Sequence, residues 1–450
     1  MFLPSQPNAT PVTHKRQLVS WLETGAKPQD RWRVATLHEK FLIDFRSHRA
    51  AEHEGARSLA AMLRNLEPLG WQPVYEMEQI LGARRGEAAL TLGPGGQLIF
   101  SGAPLASLSE TEVELTTHLH DLSRAGRDAG LASFGLGFHP TATPQELPWM
   151  PQGRTRILRD YMPDVGREGL DLMQRSAALR VTLDYSDEAD MVTKFRVALA
   201  LQPLVTALFA ASPFRDGKPT GESSTRTRAW LNTDPSRYNA LNLVFDEGFG
   251  FESYVDWALS VPMYAIHRDG FYLDATGCFF RDFMRGELED HPGLSATMAD
   301  WSDHLASLFP PVRLRRYLEL RGADMACSPA MVMALPALWT GLLYDSVALD
   351  AADQLLSEWE HEDYLALHTS AHSLRLDTPH KGRTVGEIAR DLVRIASDGL
   401  QRRALGEDAY LAPLEQIIDS GVTQADDLLR RYYDEWDQNV DKALQACALS

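Results

Sequence analysis

The sequence predicts an α+β fold built on a largely antiparallel sheet lined by helices. Short alternating stretches recur at irregular intervals between amphipathic helices, with no β-helix-β rhythm. From about Trp339 onward the pattern turns mostly helical, and no Pro/Gly/Ser-rich linker divides the chain. One domain over residues 1–450 is therefore expected: an N-terminal cap at 1–30, a core at 31–345 and a helical C-terminal part at 346–450.

In the cap, Trp21 and Leu22 are the expected docking residues. Trp32 to Ile43 alternates as a strand, which puts Leu37 and Glu39 on one face. Arg57–Leu66 carries Leu59, Met62, Leu63 and Leu66, the stripe of an amphipathic helix, stopped near Pro68 and Gly70. Strands at Ala89–Leu92 and Leu98–Phe100 flank Gly93-Pro94-Gly95-Gly96, which reads as a tight turn. That turn lacks the Lys-Ser/Thr of a phosphate-cradling loop. Ser107–Leu122 is a helix opened by a Ser107-x-x-Glu110 capping box. Leu179–Tyr185 alternates strictly, with Arg180, Thr182 and Asp184 opposite Leu179, Val181, Leu183 and Tyr185. Glu188–Ala211 is a long apolar helix in which Pro203 predicts a kink. Tyr317–Arg321 is a strand with Tyr317, Glu319 and Arg321 facing one way. Val385–Leu400 and Pro413–Tyr433 read as helices.

Composition narrows the function classes. A net charge of −18 argues against a general nucleic-acid binder, since phosphate backbones are held by clustered Lys and Arg. No apolar run suggests the roughly 20 residues of a membrane span, and the N-terminal residues lack the pattern of a secretory signal. A cytoplasmic protein, monomer or homodimer, is the expectation. Cys278, Cys327 and Cys447 are too widely spaced for a disulfide framework or zinc motif. His368 and His372 share the i, i+4 spacing of a helical metal pair, the other reading being a polar helix or loop edge. No hydrolase nucleophile pattern is present.

A series of segments in fixed order carries a resemblance. It runs from Thr36–Phe41 through Gly70-Trp71-Gln72-Pro73-Val74-Tyr75-Glu76, Pro94-Gly95-Gly96-Gln97, Asp160-Tyr161-Met162-Pro163 and Phe195-Arg196-Val197. It continues with Gly248-Phe249-Gly250-Phe251-Glu252, Val261-Pro262-Met263-Tyr264, Arg316-Tyr317-Leu318-Glu319 and Arg321-Gly322-Ala323-Asp324. Over nearly its whole length the chain resembles the plant and proteobacterial glutamate–cysteine ligases. The resemblance implies a glutamine-synthetase-like ligase fold and an activity joining a glutamate-like acid to an amine such as cysteine. It implies ATP as the activating nucleotide and magnesium to neutralise its phosphates. Small-molecule amino acids are the implied partners.

The same resemblance implies a substrate pocket at Arg154, Arg226, Trp230 and Tyr264. Arginine suits a carboxylate because its planar fork binds bidentately and keeps its charge. It implies metal ligands at Glu39, Glu319 and Gln97, and catalytic roles at Arg321 and Arg180. Four positions depart from the family on the metal side. Leu37 replaces the first Glu of a Glu-x-Glu pair, and Gly93 replaces a Glu before Pro-Gly-Gly-Gln. Arg180 and Thr182 stand where Gln and Asn are expected. A guanidinium near an approaching dication costs on the order of several kcal/mol at about 4 Å. Two alternatives therefore stand beside the ligase: an enzyme that transfers or hydrolyses an already activated or linked glutamyl group without ATP, and a non-catalytic paralogue.

Overall fold

The computed structural model describes residues 9–238 and 241–449; the expected cap falls partly outside them. Its centre is a nine-stranded sheet of β1 (Val34–Asp44), β2 (Gln72–Glu76), β3 (Gln79–Arg85), β4 (Ala88–Leu92), β5 (Leu98–Ser101), β6 (Leu131–Phe134), β7 (Ala178–Leu183), β8 (Val312–Leu314) and β9 (Leu318–Asp324). The order is β8-β9-β7-β1-β5-β4-β3-β2, with β6 on the far half of β1. The pairings between these strands are antiparallel, as the alternating patterns predict.

Register decides where the polar side chains meet. Leu37 on β1 lies directly opposite Arg180 on β7, and Thr182 lies opposite both Ala35 and Glu319. Because opposed residues share a face, Leu37, Glu39, Arg180, Thr182 and Glu319 gather on one side. Leu179, Val181 and Leu183 point the other way, fully buried in the main apolar cluster. That cluster also takes the helix Glu188–Leu208, the helix Pro329–Leu343 and the C-terminal helix Val385–Arg403. A second cluster packs Leu59, Met62, Leu63 and Trp71 beneath β3–β5.

Several sequence expectations are revised. The helix Glu188–Leu208 is long and apolar enough to cross a membrane, but most of it is buried against the sheet and neighbouring helices. Its apolar character is that of a core helix, and it continues through Pro203. Strands β2, β3, β6 and β8 are additions to the expected set. The single helix expected over Pro413–Tyr433 is two, Ala412–Ser420 and Gln424–Asp434. Gly421 takes φ 69°, a left-handed C-cap, and Thr423 caps the second helix through Asp426 N. Leu22 is buried, and Trp21 packs partly buried against the core. Cys327 and Cys447, free thiols 120 residues apart, meet with Sγ 2.7 Å from Sγ.

Candidate active site

The polar face of β1, β7 and β9 carries a buried ionic lattice. Arg180 Nη2 donates to Glu39 Oε1 at 2.5 Å, and its Nη1 lies 3.6 Å from Glu319 Oε1. Glu39 Oε2 accepts from the backbone N–H of Ala178 at 3.0 Å. Hairpin register places Arg313 on β8 opposite Glu319, and Arg313 Nη2 donates to Glu319 Oε2 at 2.5 Å. Arg321 Nη1 donates to Glu319 Oε1 at 3.2 Å. Burial alone pushes the Glu319 carboxyl up, but Arg313, Arg321 and Arg180 together hold it well below the usual range. Burial, then the charges of Arg180 and Arg313, push Arg321 well below its ordinary value.

Arg226 lies on the helix Thr225–Leu231, which Ser224 caps through Thr227 N. Its Nε donates to Asp324 Oδ1 at 2.8 Å and its Nη2 to Gly322 O at 2.7 Å. Asp324 also accepts from Ala211 N, Ser212 Oγ and Ser224 Oγ, so this carboxylate is well supported. Trp230 follows one turn later, its indole N–H donating to Phe309 O. The guanidinium of Arg226 stands 5.2 Å from the Trp230 ring.

Tyr264 is buried, its hydroxyl 3.4 Å from Asp234 Oδ2 and its ring edge-on to Tyr161. Burial raises the Tyr264 phenol above its ordinary value. Arg154 is the second residue of the helix Gly153–Val165, and the N–H of Gly153 donates to Glu76 Oε1 at 2.7 Å. Burial pushes the Tyr272 phenol up to about 12, with the nearby charge of Arg154 pulling the other way.

Glu39, Arg154, Arg226, Trp230, Tyr264 and the arginines of the lattice line one cavity of about 150 Å³. Arg154, Arg180, Arg226, Arg313 and Arg321 line it with Glu39, while Glu319 lies behind Arg180, Arg313 and Arg321; positive charge is in surplus even after Asp324 is set against Arg226. The turn at Gly93 closes one side. Gln97 Oε1 accepts from Gly95 N at 2.9 Å, and its Nε2 donates to Met173 O and Ser176 O, both at 3.0 Å. A Cβ at position 93 would stand 2.7 Å from Gln97 Oε1. A side chain there and the present pose of Gln97 exclude each other.

The donor set does not fit magnesium. That ion demands six near-octahedral oxygen ligands at about 2.0–2.1 Å. Each oxygen of Glu39 and Glu319 already faces an N–H donor, the amide oxygen of Gln97 holds a turn, and Arg180 brings fixed charge between the two carboxylates. Thr182 spends its hydroxyl on Ala35 O at 3.4 Å. Among the described residues, no group of three or more His, Cys, Asp and Glu is placed to hold a metal. His368 instead stacks on Tyr238 and shares a hydrogen bond with its hydroxyl, while His372 faces Glu222.

Sequence reading missed Arg313. The run Arg313-Leu314-Arg315-Arg316 just before β9 was the available signal, since a hairpin there sets residue 313 against residue 319. It also gave no role to Asp324, which holds Arg226 in place.

Comparison with known proteins places these features. The sequence profile described as glutamate–cysteine ligase family 2 matches residues 34–446. The chloroplastic glutamate–cysteine ligase of Nicotiana tabacum is 42% identical over 438 residues, covering 97% of this chain and 83% of that one. Chloroplastic glutamate–cysteine ligase B of Oryza sativa subsp. japonica is 42% identical over 435 residues, covering 97% and 87%. Among solved structures, glutamate–cysteine ligase from Francisella tularensis in complex with AMP superposes with a TM-score of 0.57 at 11% identity, covering 93% of this chain and 87% of that one. That likeness is one of fold, a glutamine-synthetase-like ligase architecture. The cytoplasmic expectation is corrected by the same relatives. They are chloroplastic proteins, so the lack of a secretory pattern in the first residues does not set a compartment.

Proposed function

The chain belongs to glutamate–cysteine ligase family 2, and on that premise we propose that it is a carbon–nitrogen ligase joining a glutamate-like acid to an amino acid amine such as cysteine. The observation that carries this reading is the buried cavity with a surplus of arginine, sized for a small anionic molecule. Arg154 and Arg226 grip the carboxylate end of the acid, Arg226 pre-aligned by Asp324 and Gly322 O. Trp230 and Tyr264 form walls of the pocket, with Tyr264 on the side of the incoming amine. ATP, when bound, supplies the phosphoryl group that activates the reacting carboxylate. As the amine attacks the activated acyl carbon, negative charge builds on the acyl oxygen. Arg180 and Arg321 on the sheet floor stabilise that charge in a site largely withdrawn from water.

The test is to incubate the chain with L-glutamate, L-cysteine and ATP, and to measure amide product against ADP. One ADP per amide is expected; no turnover across a panel of acids and amines overturns the reading. A second reading draws on the poor fit to magnesium: the chain transfers or hydrolyses an already activated glutamyl group without ATP. ADP formed in step with product excludes it.

A further inference from the structure

Arg180 stands on the middle strand of three, β9-β7-β1, and reaches a carboxylate on each neighbour: Glu39 at 2.5 Å on one side and Glu319 at 3.6 Å on the other. Two carboxylates facing each other across a buried sheet surface repel unless a cation lies between them. Here that cation is covalently part of the chain. Directly opposite Arg180 in the ladder is Leu37, a side chain that neither competes for the guanidinium nor offers a ligand. On the far wall, Gly93 leaves the space in which Gln97 ties its turn to residues 173–176.

The lattice satisfies its carboxylate oxygens more fully than its guanidinium groups. Among the described residues, Arg180 Nε and Arg321 Nε are both buried and have no acceptor, and both residues line the cavity. Buried donors without acceptors are costly. The chemistry that complements guanidinium groups lining such a cavity is an anionic oxygen, which the local surplus of positive charge favours.

We propose that Arg180 is a built-in replacement cation: it fills the position between Glu39 and Glu319 that a divalent ion would need, and with Arg321 it binds an anionic oxygen of the reactant, carboxylate or phosphoryl, without divalent metal. The identity of the acid rests on the ligase reading, whereas the exclusion of metal does not.

The metal arm uses manganese alone, followed by electron paramagnetic resonance, on the full chain and on Arg180→Gln combined with Leu37→Glu. The double variant is expected to bind one Mn²⁺ at least tenfold more tightly than the unmodified chain. Equal affinities, or no binding by the double variant once thermal unfolding shows it folded, overturn the proposal. Arg180→Lys retains the charge and is expected to exclude Mn²⁺ as the unmodified chain does. Its binding Mn²⁺ as tightly as the double variant overturns the proposal and does not depend on the double variant folding.

The anion arm is calorimetry in EDTA with inorganic phosphate and, separately, L-glutamate. Binding of at least one, weakened tenfold or more in Arg180→Gln, supports the proposal, and which probe responds tells a phosphoryl from a carboxylate place. Dependence of both on added Mg²⁺ overturns it. If no amide forms in any assay but phosphate still binds in EDTA and Mn²⁺ is still excluded, the ligase reading fails while this inference stands.

Discussion

Arg226→Lys separates the pocket from the fold. Arg226 is only 3% exposed, and two of its three guanidinium nitrogens are committed, Nε to Asp324 Oδ1 at 2.8 Å and Nη2 to Gly322 O at 2.7 Å. Removing the charge altogether leaves Asp324 buried without its partner, a loss of about 3–5 kcal/mol that could unfold the chain. Lysine keeps the charge but lacks the planar fork, so one of the two contacts is given up. A hydrogen bond to a charged group contributes about 1.5–3 kcal/mol, and the loss in stability is expected near the lower end because the ammonium still pairs with Asp324. The ammonium also cannot hold Asp324 and offer an aligned edge to a ligand. L-Glutamate affinity is therefore expected to fall about tenfold or more, equivalent to about 1.4 kcal/mol. Urea unfolding and calorimetry on the same preparation read the two effects. Reduced stability with unchanged glutamate affinity would refute a binding role for Arg226 and leave it a purely structural residue.

Three other outcomes are expected. Gly93→Ala sets a methyl 2.7 Å from Gln97 Oε1; loss of the Gly95 N–H bond and strain on the bonds to Met173 O and Ser176 O should cost about 1–3 kcal/mol, and an unchanged urea midpoint would contradict this. Gly341→Val drives a side chain into the backbone carbonyl of Ala396, where the helices Pro329–Leu343 and Val385–Arg403 cross. The forced separation should cost about 1–3 kcal/mol in thermal unfolding, and an unaltered melting temperature would show that the crossing is looser than described. Burial lowers His139 to about 3 and His304 and His368 to about 4. Their folded values lie below the unfolded value near 6.5, so the unfolded chain takes up more protons on acidification. Their contribution is intact above about pH 6.5 and declines as pH falls toward about 4, by about 1 kcal/mol for each histidine between pH 7 and 5.5. Denaturation midpoints that do not fall over that range would count against neutral buried imidazoles.

The strands that build the site were legible because their alternation is strict: Leu179, Val181 and Leu183 against Arg180 and Thr182 fixes which face of β7 is polar. The helix Leu108–Ala129 was likewise announced by its capping box at Ser107 and Glu110, although it runs further than the pattern suggested. β2 and β3 were missed because Gln72–Glu76 is mostly half-exposed and Gln79–Arg85 is buried on both faces through its middle, so neither shows a clean period of two. The apolar helix Glu188–Leu208 has no polar stripe for the same reason: it is buried nearly all round.

In the site, the residue types were readable and their pairings were not. Nothing in the spacing of Arg180, Glu39 and Glu319 states that β7 lies between β1 and β9, yet that order makes Arg180 a bridge. Arg313 became visible only through hairpin register, and Asp324 only through the β9 backbone that carries it under Arg226.

The most direct single measurement is calorimetric titration of the full chain with L-glutamate in the presence of EDTA. One-to-one binding without divalent metal is expected, since the proposed function has Arg154 and Arg226 hold the acid and Arg180 already occupies the space between Glu39 and Glu319. Binding that appears only after magnesium is added would contradict it.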